Sequence, residues 1–153
     1  MKTLQKSLQN FEGYIASGLQ IFRARDKIKW KNVCGRNGGK ETMKIALINE
    51  NSQAAKNAMI ESVLRKVVEP MGHEVVNYGM YTAEDECQLT YVKAGLLASL
   101  LLETGAADYV VTGCGTGEGA MLACNSFPGV LCGHLVDPSD GYMFAQINDG
   151  NCV

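Results

Sequence analysis

The chain has 153 residues but no CxxC pair, only two histidines and one tryptophan, and no apolar run of membrane-spanning length. Its longest apolar stretch, around Leu96 to Leu102, is interrupted by Ser99 and stops at Glu103, well short of the roughly 20 residues a spanning helix needs. The first residues lack the basic start, apolar middle and small-residue cleavage site of a secretory signal. A cytoplasmic protein is therefore expected. Without paired motifs, the six cysteines (Cys34, Cys87, Cys114, Cys124, Cys132 and Cys152) do not form a disulfide or zinc pattern. A chain of this size has no need of stapling, so five of them read as buried or idle reduced thiols. Cys114 is set apart by its neighbours. With 20% charged residues and a net charge of −2, neither nucleic acid nor a membrane surface is expected as a partner.

The chain does hold 46% apolar residues, enough for one domain with a real core. Charge is unevenly divided. Residues 1–42 carry nine Lys/Arg against three acidic residues, whereas residues 43–153 carry five against thirteen. The basic first part has little periodicity beyond a short helix expected around Leu8 to Ile21. Three readings of it stand side by side: a regulatory or nucleic-acid arm, a disordered tail, or an upstream leader read through a misplaced start codon. The last is preferred, because Gly38-Gly39-Lys40-Glu41 can be encoded by a purine-rich stretch just before Met43.

From Met43 onward strand and helix patterns alternate. Strands are expected at Lys44 to Ile48, Glu74 to Tyr78, Asp108 to Thr112 and Val130 to His134. Between them, one helix is expected from a Ser52 cap to about Val68, stopped by Pro70 and Gly72. A second runs from about Leu89 to Glu103 and is apolar almost all round, which suits burial against a sheet on one side and a second subunit on the other. A third, short helix reaches Asn125. Asp137-Pro138 reads as an N-cap with proline at the first helical position of a helix to about Ile147. Asn151-Cys152-Val153 looks like a strand just begun, so a chain truncated at its C-terminus is expected. The alternation predicts a three-layer α/β/α fold around a Rossmann-like, doubly wound parallel sheet, with ligands at the carboxyl ends of its strands.

The sharpest local signal is Gly113-Cys114-Gly115-Thr116-Gly117-Glu118-Gly119, between the third strand and a helix. Such glycine density lets the backbone turn tightly and aim its N–H groups at an anion by the helix N-terminus. Thr116 adds a hydroxyl donor. A thiol in that field has a lowered pKa and becomes a candidate base. As a dinucleotide fingerprint the stretch fits badly, since GxGxxG fails in every frame. It is not a P-loop, because no Lys-Ser/Thr follows. A purely structural glycine turn remains the plain alternative.

Cys-Gly-Thr-Gly-x-Gly followed by Ala123-x-Asn125 and Pro128-Gly129 resembles the signature of the type-B ribose-5-phosphate and galactose-6-phosphate isomerases. The resemblance runs from about Met43 to Val153. It takes in the Lys-Ile-Ala opening of the first strand, Gly72-His73-Glu74-Val75, Gly79, and Asn148-Asp149-x-Asn151. It implies an aldose–ketose isomerase that interconverts phosphorylated sugars through a cis-enediolate without metal or other cofactor, on a ribose 5-phosphate-like substrate, as a homodimer. Carried over by position, Cys114 is the proton-transfer base. Gly115, Thr116, Gly117 and Gly119 form the anion hole, and Asn148 binds a sugar hydroxyl.

Departures from the family pattern are equally informative. The first strand of the family ends in Asp-His, where this chain has Glu50-Asn51, a substituted substrate-binding pair. The ring-opening histidine that precedes Asn-Asp in the family is Ile147 here. A family variant with glutamate after the glycine loop does not apply, since Ala120 holds that position. His134, at the carboxyl end of the fourth expected strand, is either a packed or solvated side chain or a substitute acid–base group. His73 reads as structural or exposed, and Asp137 as a helix cap. A sugar-phosphate binding or regulatory protein that kept the anion cradle and lost catalysis is the competing reading.

Overall fold

The computed structural model describes residues 42–153. The helix expected around Leu8 to Ile21, and with it nearly all of the basic first segment, lies outside the described residues. Three parallel strands form the sheet in the order β2-β1-β3: β1 (Lys44–Asn49), β2 (Glu74–Asn77) and β3 (Tyr109–Gly113). Central β1 is buried along almost its whole length, as its apolar run requires. Side chains alternate across a strand, so β1 feeds two cores. Ile45 and Leu47 pack with Leu64 and Val68 of α1 (Asn57–Val68), together with Val75 and Tyr109. Ala46 and Ile48 face the other way, onto Ala94, Ala98 and Leu101 of α2 (Tyr91–Glu103) and Cys124 of α3 (Glu118–Asn125). The result is the expected three-layer, Rossmann-like fold. Gly95 allows α2 and α3 to cross closely: a Cβ there would stand 3.0 Å from the backbone of Ala123 and Cys124.

Three local expectations need correction. Ser52 does not cap the first helix. Its N–H and hydroxyl both turn back to the Glu50 carboxylate, two residues away, and α1 is entered instead through a 3-10 turn, Ala54–Lys56, without a side-chain cap. The fourth strand, Val130 to His134, is reduced to a single parallel bridge, and Cys132 pairs with Cys152 rather than with β3. The main-chain N–H and C=O of Cys132 face away from Cys152 and are taken by the side-chain amide of Asn125, at 2.9 and 2.8 Å, so that outer side is closed by a side chain rather than by a strand. The final residues enter between this edge and β3. Val110 N–H donates to Asn151 O at 3.0 Å, Thr112 N–H to Val153 O at 2.7 Å, and Gly133 N–H to Cys152 O at 3.0 Å. Third, the helix expected to run to Ile147 is α4 (Pro138–Met143) continued by a π-helical turn, Phe144–Asn148. The Asp137 cap is present as a capping box with Asp140.

Candidate active site

β1 and β3 deliver the site to one edge. Asn49 and Gly113 are register partners, so Glu50 and Cys114 are the first residues beyond the same end of two neighbouring strands. Thr112 ties the pair together, its hydroxyl donating to Ile48 O at 2.6 Å. A buried amide network fixes the end of β1. Asn49 Nδ2 donates to Asn57 Oδ1 at 2.6 Å, and Asn57 Nδ2 donates to the Met80 carbonyl. Gly79 packs against the same turn, where a Cβ would lie 2.7 Å from Asn49 O and 2.9 Å from Ile48 C.

After Gly113 the chain folds over itself into α3. Gly117 takes φ +85°, a left-handed conformation that costs an L side chain about 1–2 kcal/mol. This places the Gly117 N–H 3.2 Å from Cys114 Sγ. Partial burial pushes the thiol pKa up. The backbone N–H groups of Ala120, Thr116, Gly117 and Gly119 outweigh it, holding Cys114 below the ordinary thiol value. The positive end of α3 acts in the same direction. Thr116 and Gly115 are exposed at the rim.

His134 joins this group. Its ring lies over Gly117, where a Cβ would meet Nε2 at 2.6 Å. Tyr91, at the first turn of α2, is a neighbour that sequence reasoning missed. A Cβ at Gly119 would be 3.6 Å from Cys114 Sγ and 3.8 Å from the Tyr91 ring. Its only signal was a place one residue after the Thr90 cap, on the helix that packs against α3. Glu50 is 2% exposed, with its carboxylate held by Ser52, while Asn51 is exposed and donates its N–H to Leu89 O at 2.9 Å. Asn148, at the end of the π-helical turn, is exposed, and no hydrogen bond joins it to the glycine loop. His73 lies at the opposite end of the sheet, where its Nδ1 accepts from Met43 N at 3.3 Å; it is a structural residue. Cys114, Thr116, Gly117, Gly119, His134 and Tyr91 thus gather around one turn, with Glu50 and Asn51 at the neighbouring strand end.

A profile of ribose/galactose isomerases matches residues 45–153. The chain belongs to the ribose/galactose isomerase family. Its structure is similar to that of a 4-deoxy-L-threo-5-hexosulose-uronate ketol-isomerase solved with a tartrate, at 64% identity and a TM-score of 0.70, over 72% of this chain and 52% of that one. A ribose-5-phosphate isomerase from Vibrio parahaemolyticus is 54% identical, with a TM-score of 0.70 over 72% of this chain and 52% of that one. Ribose-5-phosphate isomerase B of Clostridium thermocellum is 26% identical, with a TM-score of 0.61 over 72% and 70%. The chain thus spans about half the length of the first two relatives, at 52% each. No curated protein sequence matches. The glycine turn that holds Cys114 falls inside the segment matched to the ribose/galactose isomerases.

Proposed function

We propose that the protein is an aldose–ketose isomerase acting on an anionic sugar through a cis-enediolate. One observation carries this reading: a thiol of lowered pKa sits within a ring of backbone N–H groups at a helix N-terminus. Isomerisation needs a base that moves a proton between C1 and C2, and donors that stabilise the oxygen on which charge develops. Cys114 is that base. In the thiolate form it takes the proton from one carbon and returns it to the other. The N–H groups of Gly115, Gly117 and Gly119, with the Thr116 hydroxyl, hold the enediolate oxygens. His134, over Gly117, exchanges a proton with a sugar oxygen. Asn51 contacts the sugar from the end of β1, where buried Glu50 fixes the turn through Ser52, and Asn148 binds a hydroxyl.

The substrate reading follows from Ile147. Where type-B isomerases of sugar phosphates have a ring-opening histidine, this chain has an aliphatic side chain, 67% exposed. A 4-deoxy-5-keto hexuronate has no hydroxyl on C4 or C5, so its C1 aldehyde closes to no furanose or pyranose unless the C5 ketone is first hydrated, and the open-chain form needs no ring opening. The 64% identity to a ketol-isomerase of that compound supports the same class here, with a carboxylate as the anion. A phosphorylated pentose or hexose, ribose 5-phosphate first, is the second reading, favoured by the 54% identical relative. The enzyme acts in the cytoplasm as a homodimer. Val92, Leu96 and Leu100, spaced four apart on the outer face of α2 and about half exposed, suit a second subunit. Among the described residues, no helix is long and apolar enough to cross a membrane.

The test follows C1/C2 deuterium uptake by NMR in heavy water. Full-length protein is incubated with 4-deoxy-5-keto hexuronate, ribose 5-phosphate or galactose 6-phosphate, beside Cys114→Ala. Uptake with the uronate, abolished by the substitution, is expected. Uptake with a sugar phosphate alone would transfer the assignment to the second reading. Saturable binding with no uptake from any substrate would make the protein a sugar-binding module.

A further inference from the structure

At the far end of α3 from Cys114, three further cysteines meet. Cys124 comes from the helix, Cys132 from the residual edge bridge, and Cys152 from the segment inserted beside β3. Their Sγ atoms all lie within 4.8 Å of one another, and all three residues are buried. Cys132 and Cys152 are bridge partners on adjacent parallel segments, so their proximity follows from the backbone. Cys124 reaches them from the layer above. Packing alone would be served by any small apolar side chains, as Ala46, Ala94 and Ala98 serve it elsewhere in this core. Three sulfurs converging from three separate elements are a donor set.

The geometry points to a buried three-thiolate site for a soft, thiophilic cation, with Cu(I) as the ion it fits best. Metal–sulfur bonds of about 2.3 Å put three sulfurs around one ion about 4 Å apart, so a small contraction of the present triangle suffices. Among the described residues no histidine or carboxylate belongs to the cluster, and the core it lies in is largely aliphatic, with Ile48, Leu101, Val110 and Val130. Among the described residues tetrahedral Zn(II) finds no fourth ligand, whereas three thiolates complete a trigonal Cu(I) site. Each thiol that binds releases a proton to solvent and no electron moves, so affinity rises with pH. Cys132, at 9% exposure the least enclosed of the three, lies on the entry side.

The site is separate from the proposed catalytic turn, and its test does not depend on isomerase activity. Full-length protein is titrated anaerobically with Cu(I) held by a chromophoric chelator, and the sulfur coordination number is read by X-ray absorption. One ion per chain, with three sulfur ligands, is expected. Removing the exposed thiol with Cys87→Ser leaves binding intact, whereas Cys124→Ser or Cys152→Ser abolishes it. X-ray absorption on the unsubstituted protein keeps the proposal falsifiable if those variants unfold. No competition with the chelator, two sulfur ligands, oxygen or nitrogen in the first coordination sphere, or tighter Zn(II) binding would each overturn it.

Discussion

Gly117→Ala tests the architecture of the catalytic turn more directly than removing the thiol. Gly117 holds φ +85°, and an alanine there costs about 1–2 kcal/mol in backbone strain. Its Cβ would also lie 2.6 Å from His134 Nε2. That atom is the far end of a side chain and can swing away, so the steric part is limited to an off-rotamer cost of about 0.5–1.5 kcal/mol. The whole change should therefore destabilise by about 2–3 kcal/mol. In a domain of this size that is a fall in Tm of roughly 8–13 °C, read by thermal denaturation, with the free-energy loss read by urea. A double-mutant cycle separates the two parts. In the His134→Ala background only the backbone strain remains, giving a coupling of about 0.5–1.5 kcal/mol. The turn also presents the Gly117 N–H to Cys114 Sγ, and losing one preorganised donor of this kind costs kcat about 10²–10³-fold. Zero coupling would show that the imidazole does not lie over Gly117. Wild-type deuterium exchange in a destabilised Gly117→Ala protein would remove the turn from the active site.

Other consequences follow from neighbouring contacts. Gly79→Ala directs a methyl group at backbone atoms of Ile48 and Asn49, which cannot swing aside. A loss of about 3 kcal/mol is expected in urea denaturation, with the end of β1 displaced. Asn57→Ala leaves the buried Asn49 amide and the Met80 carbonyl without their partner, for a loss of about 2–3 kcal/mol by the same assay. Cys114, held below the ordinary thiol value, should be alkylated by iodoacetamide with a half-maximal rate below the pH of about 8.5 typical of free cysteine, as followed by peptide mapping. Since its folded pKa is depressed, its stabilising contribution is complete above the unfolded thiol pKa and disappears as pH falls through the folded value. The stability gap between wild type and Cys114→Ser should therefore widen on going from neutral to mildly alkaline pH.

Much of the fold was legible because its signals are local. The apolar run of β1, the apolar helix ending at Glu103, the glycine-rich turn after β3 and the Asp137-Pro138 cap each announce themselves within a few residues. The misreadings share a cause. Ser52 has the chemistry of a cap, but Glu50, two residues earlier, captures it. Val130 to His134 has the composition of a strand, but its ladder depends on Asn125 and on residues 151–153. The site divides in the same way. The Cys114 turn was readable as a motif, and His134 was placed on the correct edge. That its ring covers Gly117 depends on a crossing of segments that no spacing encodes. Tyr91 and the three-cysteine cluster were invisible for the same reason: their partners are distant along the chain and meet only across layers.

The insertion of residues 151–153 between β3 and Cys132 sets the order in which the molecule can be completed as it is made. β1, β2 and β3 can pair as soon as Gly113 has left the ribosome, yet the free flank of β3 must wait for nearly forty further residues of synthesis, at roughly 5–20 residues per second. For those seconds Val110 and Thr112 present unpaired main-chain groups on an apolar strand, an invitation to pair with another nascent chain. A pause in translation within this interval would lengthen the exposure and a chaperone bound to β3 would shield it, so yield on expression should respond to codon choice between Gly113 and Val153.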